Sequence, residues 1–392
     1  MAHEETPPVG QGMDFGLTED QRAVQQVARD FAEKEIRPVF MQYDESQEFP
    51  FPLVTRLSDM GFMGMTWPGE LGGAGLSELE ATVIIEELAK VDPSIALTVA
   101  SHNSLCTGHI MAFGSEAQKK KYVPDLASGR KLGAWGLTEP GSGSDSGGMK
   151  TTAKQDGKDW ILNGSKTFIT QGSVGSTYVI MAVTDPGKGK AGISALILEK
   201  GIKGFAVGKK ENKLGMRCSD TATLLFDNVR VPGENLIGRV GEGFKQALTV
   251  LDGGRIGIAA LSVGIAQGAL DASLRYAKER AQFGKPIAEF QGIQWKLADM
   301  ATEVEAARLL TRRVAWMKTR GMPITLAASQ AKYFASEVAV RAAGEAVQIH
   351  GGYGFIKDYP VEKLYRDVKL MTIGEGTSEV LKMVIARNLL TS

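Results

Sequence analysis

Cysteine and histidine are scarce in this 392-residue sequence. Its only cysteines are Cys106 and Cys218, too few for a disulfide framework or for a metal site built on thiolates. The four histidines show neither an H-x3-H pattern nor another spacing typical of metal ligands. The sequence therefore predicts a protein of a reducing compartment that binds no metal ion.

An excess of charge is also missing, because 45 Lys and Arg balance 45 Asp and Glu. This balance gives no electrostatic indication of a nucleic-acid partner or an anionic membrane. No run reaches the ~18 uninterrupted apolar residues of a transmembrane helix, so we expect no membrane insertion. The acidic N-terminus, Met1–Glu5, resembles neither a signal peptide nor an Arg-rich transit peptide. These features fit a bacterial cytoplasm or, as the alternative, the mitochondrial matrix for a mature form.

Apolar residues and glycine, by contrast, are plentiful. The chain is 43% hydrophobic with a mean hydropathy of −0.09, as in soluble globular proteins of two or three domains. It contains 47 glycines, well above the average usage of about 7%. They cluster in 132–148, 201–208, 233–254 and 351–376, which indicates particular loops rather than a flexible chain.

The first part of the chain is helix-rich. After a loose tail over 1–16, Thr18-Glu19-Asp20-Gln21 has the spacing of a capping box. Helical patterns follow at 52–61, 77–90, 94–113 and 116–127. We predict an N-terminal helical domain over residues 1–128.

The middle part, residues 129–238, shows short β-prone runs. Asn163-Gly164 lies between two of them and is the strongest short hairpin signal. Further strands are predicted at Thr177–Val183, Ile193–Leu198 and Ala222–Phe226. No helical pattern of sufficient length alternates with these strands. An antiparallel sheet or small barrel therefore fits better than a nucleotide-binding βαβ unit.

The last part, residues 239–392, is helix-rich again. Long helical patterns occur at roughly 241–281, 287–319, 325–349 and 359–390, and short Gly/Pro loops join them. They predict a four-helix bundle. The predicted fold is thus α+β, with helices, an antiparallel sheet or barrel, and a helical bundle in that order.

Two glycine-rich segments are candidates for binding or chemistry. Gly133–Asp145 combines glycines and hydroxyls that could hold a phosphate or a polar ring edge, although a Gly/Ser turn before a strand has the same composition. Glu375 lies between Gly374 and Gly376, and a carboxylate in an apolar pocket becomes a better base. The alternative is a solvated loop acid before a helix capped by Thr377 or Ser378.

Four motifs together make the chain resemble the acyl-CoA dehydrogenase flavoenzymes, nearest to the short- and medium-chain branch. The resemblance extends from about Phe15 to the C-terminus. Its anchors are Leu137-Thr138-Glu139-Pro140-Gly141-Ser142-Gly143-Ser144-Asp145, Glu279-Arg280-x-x-Phe283-Gly284, Gln348-Ile349-His350-Gly351-Gly352-x-Gly354 and Glu375-Gly376-Thr377-Ser378. The order of helices, strands and helices agrees with this family.

The resemblance implies FAD as the cofactor and a site shared between subunits. The implied FAD-binding positions are Trp135, Leu137, Thr138, Gly143, Ser144, Phe168, Ile169, Thr170, Arg280, Phe283, Gln291, Gln348, Gly351, Gly352, Thr377 and Glu379. The positions from 280 to 352 match residues that reach the FAD of a neighbouring subunit. Thr377 and Glu379 match positions near the adenine–diphosphate part of FAD. A homo-oligomer follows, usually a tetramer in this family.

The resemblance also implies a reaction. Glu375 matches the base that removes the α-proton of an acyl-CoA thioester while the β-hydride passes to flavin N5, which gives a trans-2-enoyl-CoA. Electrons then pass to an electron-transferring flavoprotein. The implied substrate-binding positions are Ser144, Phe244, Asp252, Arg255 and Gly376. Other branches place the base at the position of Gly254, where glycine cannot act.

Several hypotheses stay open within this fold. Many relatives carry Tyr at the position of Gly374, so the acyl chain length and branching are undetermined. Branched, cyclic, aromatic-pathway and glutaryl thioesters are alternative substrates. Ala96 aligns with an Arg of glutaryl-CoA dehydrogenases, which argues against the last of these. The chain could also be an O2-using acyl-CoA oxidase or a non-catalytic flavoprotein.

Overall fold

The computed structural model describes residues 16–391, and its N-terminal third is helical. The predicted tail over 1–16 lies outside the described residues, Gly16 excepted. The helices of this region are α1 (Glu19–Phe31), α2 (Phe40–Ser46), α3 (Phe51–Asp59), α4 (Glu78–Ala89), α5 (Pro93–Ser101), α6 (Gly108–Phe113) and α7 (Glu116–Ala127).

Local sequence determines where these helices begin. The capping box at Thr18 and Gln21 is present at α1, and the same arrangement begins α4 at Ser77 and α7 at Ser115. The helical pattern predicted over 94–113 is confirmed, and a π-helical turn over His102–Thr107 lies between α5 and α6 within it. In this turn the Thr107 hydroxyl donates to the carbonyl of His102 at 2.8 Å.

The middle region forms one sheet. Its strands are β1 (Gly133–Gly136), β2 (Thr152–Asp156), β3 (Asp159–Thr170), β4 (Thr177–Val183), β5 (Ile193–Glu199), β6 (Phe205–Lys210), β7 (Thr221–Val231) and β8 (Leu236–Ile237). They follow the order β6-β7-β3-β2-β4-β5-β8, with β1 paired to β4. Most pairs are antiparallel as predicted, but β1 and one residue of β2 pair in parallel with β4.

The hairpin predicted at Asn163-Gly164 is wrong. Strand β3 continues through both residues, and a register shift opposite β7 marks a bulge at Gly164, where φ is +138°. The chain reverses instead at Gly157-Lys158, between the paired residues Asp156 and Asp159. Gly157 has a φ of +62°, which favours glycine at that turn.

The C-terminal region contains the longest helices. They are α8 (Gly243–Glu279), α9 (Gln291–Thr319), α10 (Thr325–His350), α11 (Val361–Val368) and α12 (Ser378–Thr391), with a small hairpin of β9 (Ala281–Gln282) and β10 (Lys285–Pro286) after α8. The continuous helix predicted over 359–390 is wrong. It is interrupted between Lys369 and Thr377, because a 3-10 turn and a glycine-flanked loop follow α11.

Helix α8 is the central element of the bundle. It packs against α9 and α10 on one side and against α4 and α5 of the N-terminal region on the other. By length and composition alone it could cross a membrane, and two-thirds (67%) of its most apolar window is buried inside the protein. Small residues permit this packing: a Cβ on Gly257 would lie 3.5 Å from Cβ of Ala100 in α5.

A buried cluster of charged groups joins the three regions. The Lys363 ammonium of α11 contacts Asp92 at the start of α5 at 3.0 Å and Asp367 at 2.5 Å. Asp367 also accepts the backbone N–H of Met216, between β6 and β7, at 2.5 Å. We call these residues the junction cluster. The domain boundaries at 128/129 and 238/239 stay predictions.

Candidate active site

Glu375 lies in the loop between α11 and α12 in an unusual backbone conformation. Its φ is +52° and that of Gly376 is +100°. A positive φ is uncommon for a residue with a side chain and persists only where surrounding contacts hold it. The sequence Gly374-Glu375-Gly376 therefore makes a turn that directs one carboxylate away from the loop.

The Glu375 carboxylate is buried without full compensation. Its Oε2 atom has no hydrogen-bond partner among residues 16–391. Burial raises the pKa of Glu375 to about 7, although the positive charges of Arg255 and Lys332 favour the ionised form. The alternative of a solvated loop acid is therefore wrong for this residue. A carboxyl group with a pKa near neutrality can act as a general base under physiological conditions.

Arg255 and Lys332 hold the two backbone carbonyls that follow this carboxylate along the chain. The Arg255 Nε donates to the carbonyl of Glu375 at 3.5 Å, and the Lys332 Nζ donates to the carbonyl of Gly376 at 2.7 Å. Arg255 is itself oriented by Asp252, whose Oδ1 accepts its Nη1 at 2.6 Å. Thr325 donates to the other oxygen of Asp252 at 2.6 Å. Helices α8 and α10 thus fix the loop from two sides.

Gly254 of α8 leaves the space that the carboxylate occupies. A Cβ at this position would overlap Oε2 of Glu375. Gly254 lies within a helix, where glycine is otherwise unfavourable by roughly 1 kcal/mol relative to alanine. Its presence is therefore explained by this contact.

The two strand segments predicted to line a flavin ring are neighbours in the structure. The backbone N–H of Thr167 donates to the carbonyl of Thr138 at 2.9 Å, which places the end of β1 beside β3. Beyond β3, Gln171 donates to the carbonyl of Thr98 in α5 at 3.0 Å. These contacts bring the segments Trp135–Thr138 and Phe168–Thr170 beside α5, which packs against α8.

The segments Trp135–Thr138 and Phe168–Thr170, which we call the strand wall, are supported by buried polar groups. The Lys166 ammonium contacts the carbonyl of Leu137 at 3.1 Å and Glu139 at 2.8 Å. Burial lowers the pKa of Lys166 to about 8. Glu139 also accepts the backbone N–H groups of Lys150 and Thr151. The Gly133–Asp145 segment therefore consists of β1 followed by a turn that Glu139 anchors.

Two buried histidines support β1. The Nδ1 atom of His102 accepts the backbone N–H of Gly133 at 3.1 Å, and Nδ1 of His109 accepts the indole N–H of Trp135 at 3.0 Å. The Nε2 atoms then donate, to the carbonyl of Leu126 and to Gln246. Burial lowers the pKa of both imidazoles to about 4. Both rings are therefore neutral at physiological pH.

Four predicted positions near the strand wall, Gly143, Ser144, Phe168 and Phe244, are at least partly accessible. Ser144 and Gly143 are exposed, and a Cβ on Gly143 would meet nothing within 4 Å. Phe244 is half-buried, and the Lys190 ammonium lies 5.4 Å from the centre of its ring. Phe168 has a φ of +57° and is 65% exposed. An aromatic ring held in this way is available to a ligand.

A second set of predicted positions lies elsewhere on the chain. Arg280, Gly351 and Gly352 line a cavity of about 560 Å³ together with Tyr276 and Tyr353. The Arg280 guanidinium lies 5.4 Å from the centre of the Tyr353 ring. None of the residues that line this cavity belongs to the Glu375 site. Arg280, Gly351 and Gly352 thus form a second place on the chain, separate from the Glu375 site.

Five predicted FAD-binding positions line neither the Glu375 site nor the cavity of Arg280. Phe283 is 93% exposed, and Gln291 and Gln348 are also exposed. Thr377 caps α12, since its hydroxyl accepts the backbone N–H of Val380 at 3.3 Å. Glu379 is exposed, and its pKa is lowered by hydrogen bonds to its own backbone N–H and to Thr377.

Lys332, Lys166 and His109 are not among the predicted site residues, although each supports one of these segments. Lys332 has a detectable signal, because it interrupts the buried alanine face of α10 formed by Ala328, Ala331 and Ala335. Lys166 and His109 have no comparable local signal, since their partners are 27 and 26 residues away along the chain.

Family models for three domains match the chain in order. They are the N-terminal domain of acyl-CoA dehydrogenases at residues 18–130, the middle domain at 134–229 and the C-terminal domain at 241–390. The chain is also 48% identical to the short-chain specific acyl-CoA dehydrogenase of Clostridium acetobutylicum over 374 residues, which are 95% of this chain and 99% of the relative. The chain belongs to the acyl-CoA dehydrogenase family.

Solved structures agree with this membership. Butyryl-CoA dehydrogenase from Megasphaera elsdenii superposes with a TM-score of 0.95 at 46% identity, over 96% of this chain and all of that chain. A chain from the structure described as the electron transferring flavoprotein of Acidaminococcus fermentans superposes with a TM-score of 0.96 at 48% identity. The match covers 97% of this chain and 100% of that chain. The predicted family, α+β fold class, oxidoreductase activity and FAD cofactor are thereby confirmed.

The residues present fit FAD. Open backbone at Gly143, Gly351 and Gly352 leaves room for a ligand, because a Cβ at these positions would meet nothing within 4 Å. The exposed rings of Phe168 and Phe283 offer apolar surface for the flat rings of such a cofactor. The donor set near Glu375 is not that of a metal centre, and no group of three metal-ligating side chains occurs within residues 16–391.

Proposed function

We propose that this acyl-CoA dehydrogenase oxidises a short- or medium-chain acyl-CoA at its α and β carbons, with Glu375 as the base. The observation that carries the proposal is the carboxylate itself, which is buried, lacks a partner on Oε2 within residues 16–391 and has a pKa raised to about 7. Groups with these properties cluster at sites of chemistry.

The residues around Glu375 explain how it would act. Its carboxylate removes the α-proton and then holds that proton in the buried pocket. The backbone N–H of Glu375 is the proposed donor to the thioester carbonyl, where negative charge develops. Ser144, Phe244, Asp252, Arg255 and Gly376 are the proposed contacts of the acyl-CoA. FAD, when bound, supplies the acceptor for the β-hydride.

The two places on the chain support a shared cofactor site. Trp135, Leu137, Thr138, Gly143, Ser144, Phe168, Ile169, Thr170, Thr377 and Glu379 would hold the FAD of their own subunit. Arg280, Phe283, Gln291, Gln348, Gly351 and Gly352 would reach the FAD of a second copy. The guanidinium of Arg280 suits phosphate oxygens. A homo-oligomer, as a tetramer, is the proposed assembly.

The relatives support a short acyl chain and a flavoprotein acceptor. Those described above are named for short-chain or butyryl-CoA dehydrogenation, and one structure is described as an electron transferring flavoprotein. Butyryl-CoA is therefore the first substrate to test, and an electron-transferring flavoprotein the first acceptor. The compartment stays a prediction, because relatives include both bacterial proteins and a mouse mitochondrial one.

One observation favours a second class of substrate. A Cβ on Gly374 would make only ordinary contacts with Leu370, at 3.5–3.7 Å, so neither packing nor backbone requires glycine there. Because Gly374 has no side chain, there is room beside the proposed base for branched or cyclic acyl groups.

An anaerobic titration of the FAD-loaded protein tests both candidates. Butyryl-, octanoyl-, isobutyryl-, glutaryl- and cyclohexanecarboxyl-CoA are added in turn while flavin absorbance is followed. Bleaching by butyryl-CoA supports the short-chain proposal, and preferential bleaching by isobutyryl- or cyclohexanecarboxyl-CoA supports the second class. If no thioester bleaches the flavin, the proposal is wrong. Peroxide formation with air as the only acceptor would indicate an oxidase.

A further inference from the structure

We propose that Lys332 is a positioning residue for Glu375: its ammonium holds the carbonyl of Gly376 and thereby fixes the turn that presents the carboxylate. The inference rests on the proposed role of Glu375 as the base. Lys332 makes no direct hydrogen bond to the carboxylate in the described part of the chain. It acts through the backbone of the next residue and through its charge.

The geometry gives Lys332 a defined position. It lies on α10 with none of its surface exposed, and its Nζ reaches the Gly376 carbonyl at 2.7 Å. That carbonyl belongs to the turn with φ values of +52° and +100°. A turn of this kind requires surrounding contacts to hold it. Lys332 from α10 and Arg255 from α8 are the two cationic side chains that bond its carbonyls.

A buried ammonium is a costly way to supply one hydrogen bond. Burial lowers the pKa of Lys332 to about 8, even though Glu375 favours its charged form. A serine or threonine could donate to a carbonyl with no charge to desolvate. The retained charge is explained if it also acts on Glu375, where it favours the carboxylate over the acid.

The other charged groups around Lys332 do not replace this effect. From α10, Glu337 is already bonded by the hydroxyl of Ser378 at 2.6 Å. From α12, Glu379 lies at the surface. From α8, Arg255 repels Lys332 and is paired with Asp252. Lys332 is thus the cation near Glu375 that has no paired carboxylate among the described residues.

The main test replaces Lys332 with methionine, which keeps an unbranched side chain one atom shorter and removes the charge and the donor. In K332M the acid limb of kcat/KM is expected to move up by about one pH unit, because an opposite charge is lost near the carboxylate. We expect kcat to fall about tenfold with KM changed less than about twofold, since the base and not substrate binding is displaced.

A second measurement does not depend on turnover. The infrared band of the protonated Glu375 carboxyl is titrated in the FAD-loaded protein without substrate and is assigned by its loss in E375Q. Its midpoint should rise in K332M, return toward the original value in K332R, and stay unchanged in K382M. Lys382 is an exposed lysine of α12 whose ammonium lies 5.1 Å from the centre of the Tyr333 ring.

The outcomes separate the two proposals. An unchanged midpoint and kcat in K332M, or equal damage in K332R and K332M, overturns the role of Lys332. Full turnover by E375Q overturns the base instead. If K332M does not bind FAD or fold, the same measurements on K332Q, which keeps a neutral donor, decide the question.

Discussion

Lys332 and Lys363 are both completely buried, but their surroundings have opposite effects. In the junction cluster, Lys363 contacts two carboxylates at 3.0 and 2.5 Å. Burial alone would lower the pKa of Lys363, but Asp367 and Asp92 raise it far above its ordinary value. Near Glu375, Lys332 bonds one neutral carbonyl, and burial lowers its pKa to about 8.

The carboxylates show the same difference. Asp367 accepts both Lys363 and the backbone N–H of Met216, and Asp92 also accepts the backbone N–H of Ser94 at 2.7 Å. Glu375 leaves Oε2 without a partner in the described part of the chain. A buried charge that is fully bonded joins parts of a fold, whereas one left incomplete can exchange a proton. Substitutions at the two clusters should therefore separate stability from chemistry.

The largest effect is expected at Glu375, the proposed base. In E375Q, turnover should fall by about 10³-fold or more, because a general base contributes 10²–10⁴-fold and the amide cannot accept the α-proton. FAD content should be unchanged, since the side chain keeps its volume. Steady-state turnover and flavin absorbance check this. Retained turnover would remove Glu375 as the base.

Breaking the junction cluster should instead lower stability and leave the chemistry of the folded protein unchanged. K363M leaves two buried carboxylates without their cation, which should lower the free energy of unfolding by about 3–5 kcal/mol. The folded fraction should keep its turnover per FAD. Chemical denaturation measures the change, with K357M as the control. Lys357 pairs with Glu45 at the surface, where a pair contributes about 0–1 kcal/mol.

A smaller effect is expected from Gly254, the glycine beside the Glu375 carboxylate. G254A would displace the Glu375 carboxylate, because the new Cβ overlaps Oε2, and turnover should fall by about 10–100-fold. The control is G257A, three residues later on α8, where the new Cβ makes ordinary contacts at 3.5–3.7 Å. G257A should keep its turnover and gain about 0.5–1 kcal/mol of stability. Equal activity of both variants would refute the overlap.

The smallest effect concerns stability against pH. Because the folded protein raises the pKa of Glu375 from 4.5 to about 7, it binds that proton more tightly than the unfolded chain does. The stability due to this group is complete below pH 4.5 and is lost as the pH rises through 7. E375Q should thus be more stable than the parent at pH 8, by about 1–3 kcal/mol, and similar at pH 4. Thermal unfolding at both pH values measures the difference.

The helical parts of the fold are predictable from the sequence because their signals are local. The capping box at Thr18 and the apolar periodicity of 325–349 lead to helices close to those observed. The sheet is less predictable. Asn163-Gly164 and Asp156-Gly157 are competing turn signals, and only the register with β7 decides that the first is a bulge.

The candidate site is predictable in its motifs but not in its electrostatics. Glu375 is marked by its glycine neighbours. Its raised pKa depends on burial and on Arg255 and Lys332, which lie 120 and 43 residues before it and meet it only through packing of α8 and α10. The separation of Arg280 and Gly351 from Glu375 also needs the three-dimensional structure.

Gly254 and Glu375 have a consequence for how such a site changes over generations. A side chain from α8 and the carboxylate from the loop compete for one volume, so an acid at either position excludes a large residue at the other. The two positions therefore form an epistatic pair, because the size of the residue at one position limits the size of the residue that fits at the other.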